Sequence, residues 1–433
     1  MGRLNTGVAK AAALLLAAGL ALTGCASGST GSTAAKASDA KVELRFMWWG
    51  NDTRNAMTMK VIEAYQAANP NVTIKPEPTD WGSYWDKLAT MTAGNNTPDV
   101  IQMDEKYIAE YGSKGVLLDL EKAGVKTDGF APGTIDLGRV KGKLFGVNAG
   151  INAPIVLANP KVISAAGATL PDDKTWTWDQ LNAFAKGVTE KSPQGTYGSQ
   201  NYGAVEPMLR VYLRQNGQDE YSDAGVGFDA PLLGTWFENM QARTADKTFP
   251  SAAEATEDMG KALDQTMAAT NKAGLFYYWS NQVSALDKAT GQDLKLMRPP
   301  SKTGSAKDAQ LWYKASMYWS GSAKSKNAAE VAKFVSFLSS NIEAGKVMGT
   351  ERGVPANLAV RDAVKAQLSA SDKKVVAYLD AIDAERGKTP AITPVGGSDI
   401  QLGRYSQDVL FNKSTPAKAA EGLVNELKSK VKV

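Results

Sequence analysis

Histidine is absent from the 433 residues, and there is one cysteine. Without imidazole there is no Ser-His or Cys-His nucleophile pair, no imidazole base and no histidine metal ligand. A single cysteine forms no internal disulfide and no thiolate metal cage. Carboxylate, lysine or tyrosine chemistry stays open, as does an all-oxygen metal site. Surplus charge is also missing: 49 basic residues face 45 acidic ones, a net +4. That gives no case for nucleic acid, which needs a clustered basic face. Apolar residues make up 43% and charged residues 22%, the balance of a soluble globular protein rather than a disordered one. The chain is too long for one ordinary core and suits two lobes of roughly 150–200 residues. These absences favour binding over catalysis, with no cofactor or metal.

Long hydrophobic runs are scarce too. The run Ala11–Leu22 would rise only about 18 Å as a helix, too short for a stable membrane span. Arg3 and Lys10 flank it, and Leu22-Thr23-Gly24-Cys25 follows, so residues 1–24 read as a bacterial export signal. The tetrapeptide resembles the lipobox of bacterial lipoproteins, which implies cleavage before Cys25 and acylation of that residue, palmitate included. An unlipidated signal with an incidental cysteine is the alternative. Two or three acyl chains would hold the protein on the outer face of the cell membrane, where one would be marginal. Loss of Arg3 and Lys10 brings the net charge to about +2. Ala26–Ala40 carries no aromatic or large aliphatic residue and reads as a flexible tether, reaching about 20 Å. The fold should begin near Lys41.

From Val42 the pattern becomes regular. Val42, Leu44, Phe46 and Trp48 alternate with polar or flexible residues as a strand, ending in Trp49-Gly50-Asn51-Asp52. Met57, Val61, Tyr65 and Ala68 mark a helix stopped by Asn69-Pro70. A short strand Val72–Ile74, a helix from Ser83 to about Ala93 and a strand Asp99–Met103 follow. This alternation predicts an α/β fold with a largely parallel sheet, whose ligands sit beyond the carboxyl ends of the strands. A second lobe is expected after Gly142–Asn148, with helices near Trp178–Lys191 and Pro207–Gln215 and a strand Leu275–Trp279. Val331, Phe334, Val335 and Leu338 mark a later helix, as do Leu423, Leu427 and Val431.

Several strings together resemble the extracytoplasmic sugar-binding proteins of bacterial ABC importers, the group that includes maltose-binding protein. They are WWGNDTRNAMTMKVIEAYQAANP (48–70), YWDKLATMTAGNNTPDVIQMD (84–104), YGSKGVLLDL (111–120), GKLFGV (142–147), LFYYWSNQ (275–282), SMYWSGSAKSKNAAEVAKFVSFL (316–338) and TERGVPAN (350–357). Where that family commonly has Tyr-Asn-Lys after the crossover, this chain has Ala158-Asn159-Pro160, which puts an aromatic wall there in doubt. The resemblance implies a periplasmic-binding-protein-like fold: two α/β lobes joined by a hinge, with the ligand cleft between them. It sets one lobe at 41–150 and roughly 299–322, the other at roughly 151–298 and 323–433. It further implies capture of a carbohydrate, a di- or oligosaccharide, and delivery to ABC permease subunits. An extracellular carbohydrate-active enzyme, a binder of a non-sugar solute and a sensor-linked receptor lipoprotein are the alternatives.

A pyranose presents CH-rich faces and a rim of hydroxyls, so its site needs flat rings and planar polar groups. Ten tryptophans are available, each of which could equally be a core ring. Trp279 is the first choice, with Asn281 beside it, because the resemblance implies a ligand aromatic in that stretch. Trp49, rather than Trp48, is placed at the mouth. Asn51 and Asp52 follow; Asp52 is either a sugar ligand or a helix N-cap, and the same alternatives hold for Asp104. Trp81 and Tyr84 follow the second strand, Tyr84 with the option of a core helix. Asn152 sits at the crossover, Tyr318 and Trp319 are read as ending a late strand, and Arg352 precedes Gly353. Arg352 is either a planar fork for hydroxyls or carboxylate or half of a surface salt bridge.

Overall fold

The frame is carried by β1 (Val42–Trp49), β2 (Val72–Thr79), β3 (Val100–Met103), β4 (Val147–Asn152), β5 (Pro154–Ala158), β6 (Tyr197–Ser199), β7 (Ala273–Trp279), β8 (Lys295–Met297) and β9 (Lys314–Gly321). The structure, a computed structural model, describes residues 40–50, 52–222, 224–261, 263–394 and 401–432. The export signal, Cys25 and the tether expected before residue 40, together with Asn51, lie outside the described residues. The chain divides after Ala40, and Lys41–Val433 form a single body.

The first sheet has the order β2-β1-β3-β9-β4, parallel across β2, β1 and β3 and antiparallel across β9 and β4. Helices α1 (Asp52–Ala68), α2 (Trp81–Ala93) and α3 (Glu105–Ser113) follow its first three strands, the βαβ alternation visible in the sequence. β2 runs further than the expected Val72–Ile74, through Pro76 and Pro78. It is the edge strand, and two prolines two residues apart turn their missing N–H groups to one side, where an edge needs no donors. Helices cover both faces of this sheet. Leu44, Phe46 and Trp48 pack into one core with Val61, Phe334 and Val335; Met47 and Trp49 pack into the other with Tyr84, Leu88 and Ile108. Alternation therefore buries both parities of β1, as expected of a doubly covered α/β sheet.

The second sheet has the order β8-β5-β7-β6. Ile155 and Leu157 face one core while Val156 and Ala158 face the other. Ala158 is fully buried opposite Leu275 and Lys295. Asn159 caps the helix Pro160–Ala165, accepting from the Lys161 amide at 3.0 Å, with Pro160 in its first turn. The departure from Tyr-Asn-Lys is thus a core residue, a cap and a helix start.

Three passages join the two halves. β4 reaches β5 through Ala153 alone, whose amide donates to the Ser280 hydroxyl at 3.1 Å and whose carbonyl accepts from the Ser280 amide at 3.0 Å. Residues 298–313 lead from β8 back to β9. The third passage comes later than expected. Helices Ala328–Ser340 and Ile342–Met348 pack on the first sheet through Val331, Phe334, Val335, Leu338, Ala344 and Met348. The chain therefore crosses near 349–357 and not near 323. There Val354 exchanges backbone hydrogen bonds with Ile151 of β4, at 2.8 and 3.2 Å. A Cβ on Gly150 would meet the Arg352 carbonyl oxygen and lie 2.7 Å from the Gly353 carbonyl carbon, so glycine lets these two passages approach.

Candidate functional site

A cavity of about 850 Å³ lies where the two halves meet. The first half supplies Glu105 and Glu110 of α3 and the turn Asp136–Gly142; the second supplies Arg210 and Pro390–Pro394. Trp312, Tyr313 and Lys314 come from the second passage and the start of β9. The volume is that of a ligand pocket. α3 presents its amino terminus here because Asp104, just past β3, turns the chain and caps the helix, accepting from the Lys106 amide at 3.0 Å.

Lys314 organises the centre. Its Nζ stands 3.0 Å from Glu105 Oε1 and 5.1 Å from the ring centroid of Trp279. Burial pulls its pKa down, but Glu105 and Asp104 more than offset that, and the ammonium is held charged. Asp104 responds in the opposite sense: burial raises its pKa and Lys314 opposes the rise. Trp312 meets Trp279 edge-on at 6.1 Å, and the guanidinium carbons of Arg210 and Arg214 lie 5.3 Å from the Trp312 centroid. Asp219 bridges those arginines, at 2.7 Å from Arg210 Nε and 2.6 Å from Arg214 Nη1. Glu220 lies 3.4 Å from Arg210. Burial pushes its carboxyl pKa well up, and Glu206 adds to the rise.

The sequence-derived candidates fall into separate places. Tyr318 lines the cavity, though its hydroxyl donates to the Leu137 carbonyl at 2.6 Å. Trp279 is half-buried against Lys314 and Trp312, which do line it, and Asn281 is exposed in the turn after β7. Asn152 sits opposite Lys314 in the β4–β9 register, buried, with its Oδ1 lacking a hydrogen-bond partner. Asp104 is 9% exposed and serves as the α3 cap.

Other candidates lie elsewhere. Asp52 is exposed in the first turn of α1, and Trp81 opens α2, its side chain being outside the described residues. Trp49 is not at a mouth: it is 7% exposed, its ring 4.9 Å from that of Tyr84. Tyr84 is fully buried and donates to the Gln102 carbonyl at 2.6 Å. Trp319 is fully buried in the other core of that sheet. It and Tyr318 lie within β9 rather than at its end, flanked by neighbouring strands on both sides, which is why helices cover them. Arg352 is 2% exposed and not part of the cavity wall; it donates to Gln102 Oε1 at 3.0 Å and Thr58 Oγ1 at 2.8 Å, and its ion pair, 3.9 Å to Glu351, is buried on the arginine side rather than at the surface.

Sequence reasoning missed Glu105, Arg210, Trp312 and Lys314. The available signal was Arg210 and Arg214, four residues apart on a helix whose other residues include Met208, Leu209, Val211 and Leu213. Charges set in an apolar run are buried only when paired. Among the described residues no group of three His, Cys, Asp or Glu side chains could hold a metal ion, and no helix is long and apolar enough to cross a membrane.

Comparison with known proteins agrees with this architecture. The family described as bacterial extracellular solute-binding protein matches residues 60–376; this chain belongs to that family. A solute-binding protein of family 1 from Alicyclobacillus acidocaldarius is 26% identical, with a TM-score of 0.73 over 90% of this chain and 98% of its own. The oligogalacturonide-binding protein of Yersinia enterocolitica with digalacturonic acid is 22% identical, TM-score 0.74, covering 90% and 100%. The GacH receptor of Streptomyces glaucescens, known with acarbose, is 18% identical, TM-score 0.67, covering 90% and 100%. An uncharacterized lipoprotein from the oleD 5′ region of Streptomyces antibioticus is 26% identical over 217 residues. Those residues are 47% of this chain and 42% of that relative, so the match spans less than half of either.

Proposed function

We propose that this protein captures a carbohydrate, a di- or oligosaccharide, outside the cell membrane and delivers it to the permease subunits of an ABC importer. The observation that carries the reading is the cavity between the halves, where Trp312, Tyr313 and Tyr318 meet planar and charged groups. Rings cover the CH faces of a pyranose, while carboxylates and guanidinium groups engage its hydroxyls. The sugars named for the Yersinia and Streptomyces glaucescens proteins support the same ligand class. Contacts from both halves exist only when the three passages let them close, so ligand shifts the population towards the closed form. The permease would then read the closed pair. Asn152, Asp104, Trp279 and Tyr318 are the sequence-derived residues nearest this role. Micromolar affinity, about −8 kcal/mol, is within reach of two ring contacts and several hydroxyl hydrogen bonds.

Export through residues 1–24 and acylation at Cys25 complete the proposal, and mass spectrometry of the mature amino terminus tests them; an unacylated Cys25 removes the anchor. A thermal-shift screen against a sugar panel tests the ligand class, since a ligand bound only by the folded state raises its melting temperature. Trp279→Ala should weaken binding of the best sugar at least tenfold in calorimetry without unfolding the protein. Unchanged binding would remove Trp279 from the site. Each sugar should be recovered unaltered after incubation; a product peak in chromatography would replace the binder with an enzyme.

A further inference from the structure

Two of the cations that line the cavity lack, among the described residues, the ion-pair partner that the others have. Its three lining carboxylates are each matched by a lining cation: Glu105 by Lys314 at 3.0 Å, Glu110 by Lys114 at 2.5 Å and Asp136 by Arg139 at 3.1 Å. Arg210 is matched from behind the wall by Asp219 and Glu220. Two lining cations are left, Lys141 and Lys432, and neither has a carboxylate within ion-pair distance among the described residues. They come from opposite halves. Lys141 forms the tip of the hairpin that joins Arg139–Val140 to Lys143–Leu144, and Lys432 follows the last helix, Pro416–Lys430. Lys141 also holds a left-handed backbone, φ 48°, followed by Gly142 at φ 79°. Such a tip favours asparagine, aspartate or glycine, so the lysine is kept there at some backbone cost.

We propose that the ligand is an acidic oligosaccharide, carrying at least one carboxylate that Lys141 and Lys432 hold between them. This rests on the carbohydrate reading and narrows it. Bringing the halves together gathers two like charges at one cavity, and a neutral sugar leaves that repulsion in place. A carboxylate removes it and adds attraction to each lysine, so the acidic ligand drives closure where its neutral counterpart does not. The apolar surfaces of Trp312, Tyr313 and Ile392 in the same wall leave room for the sugar ring that bears the acid.

The test is calorimetric titration of the detergent-solubilised full chain. The probes are di- to tetrasaccharides of galacturonate, glucuronate and mannuronate, each compared with the same oligosaccharide after reduction of its carboxyls to alcohols. At least one acid should bind tenfold or more tighter than its reduced partner, and 0.5 M salt should narrow that gap, because exposed charges are screened. Lys141→Gln and Lys432→Gln should each weaken the acid about three- to tenfold without lowering the melting temperature, while any neutral sugar should bind as well or better, since closure then meets less repulsion. Reduced forms that bind as well as the acids would overturn the acidity while leaving carbohydrate capture standing. An acid preference that survives both substitutions would overturn the assignment to these lysines. Silence from every acid overturns the proposal, and the neutral-sugar screen then decides the broader reading on its own.

Discussion

Two buried guanidinium sites show how differently this protein uses the same side chain. Arg352, on the third passage, makes its hydrogen bonds to neutral partners, the Gln102 amide oxygen and the Thr58 hydroxyl, while among the described residues its Nη1 has no hydrogen-bond partner and comes no nearer to a carboxylate than 3.9 Å from Glu351; it lies 5.0 Å from the Trp319 ring centroid. Burial lowers its pKa to about 9; the charge of Arg54 adds to the fall and Glu351 opposes it. Arg210, in the second half, is equally buried, yet Glu220 and Asp219 more than offset the cost of burial and its pKa is raised. Arg214 shares Asp219 but faces Arg210, and its pKa falls, burial being the largest cause. Neutral partners fix direction without balancing charge, so Arg352 acts as a pin between hinge and sheet. Carboxylate partners balance charge, and the Arg210 group forms a charged wall that reaches the cavity.

The strongest way to break this contrast is Asp219→Ala, which strips both arginines of their shared carboxylate. Buried charges left without partners should cost about 3–5 kcal/mol, read as a fall in the urea midpoint. A loss under 1 kcal/mol would show that Glu220 alone holds the wall. Arg352→Met should cost less, about 1–3 kcal/mol, because its hydrogen-bond partners are neutral, Glu351 keeps its closer partner Arg54, and an expensive buried charge is removed. Ligand affinity should be unchanged by that substitution. A tenfold loss of binding would return Arg352 to the site, where its sequence context had placed it.

The smallest effect is expected at Asp104, which acts on Lys314 from beside Glu105. Burial raises its pKa above the ordinary 3.8. A carboxyl that holds its proton more firmly when folded adds stability at low pH, and this is lost as pH rises through the folded pKa. Asparagine caps a helix as well as aspartate does, so Asp104→Asn should remove that slope and keep α3. Wild type should compare best with the variant near pH 4 and progressively worse towards pH 7 in urea unfolding. A difference that ignores pH would mean Lys314 compensates the carboxylate fully.

How legible the molecule was depended on the range of the interaction concerned. Periodicity located β1, α1, β3, β7 and the helices at Trp178–Glu190, Glu206–Gln215 and Ala328–Ser340, because such patterns report neighbours two to four residues apart. The α/β class followed from the alternation of those elements, and the ends of β3 and β7 lie next to Glu105 and Lys314, which line the cavity. Trp49, Tyr84, Trp319 and Arg352 were misplaced for one reason. A strand or loop pattern says which way side chains alternate, but not that a distant helix covers the second face.

By itself the sequence determined the absence of imidazole chemistry, the α/β class and the likeness to sugar-binding proteins, all of which rest on residue identity and short-range order. Only the tertiary structure decided where the third passage crosses, which rings are core, and which cations end up facing one cavity. Lys314 meets Glu105, and Lys141 shares a wall with Lys432, across more than two hundred residues of chain in each case. Contacts of that separation are set by how whole layers pack, and no local pattern records them.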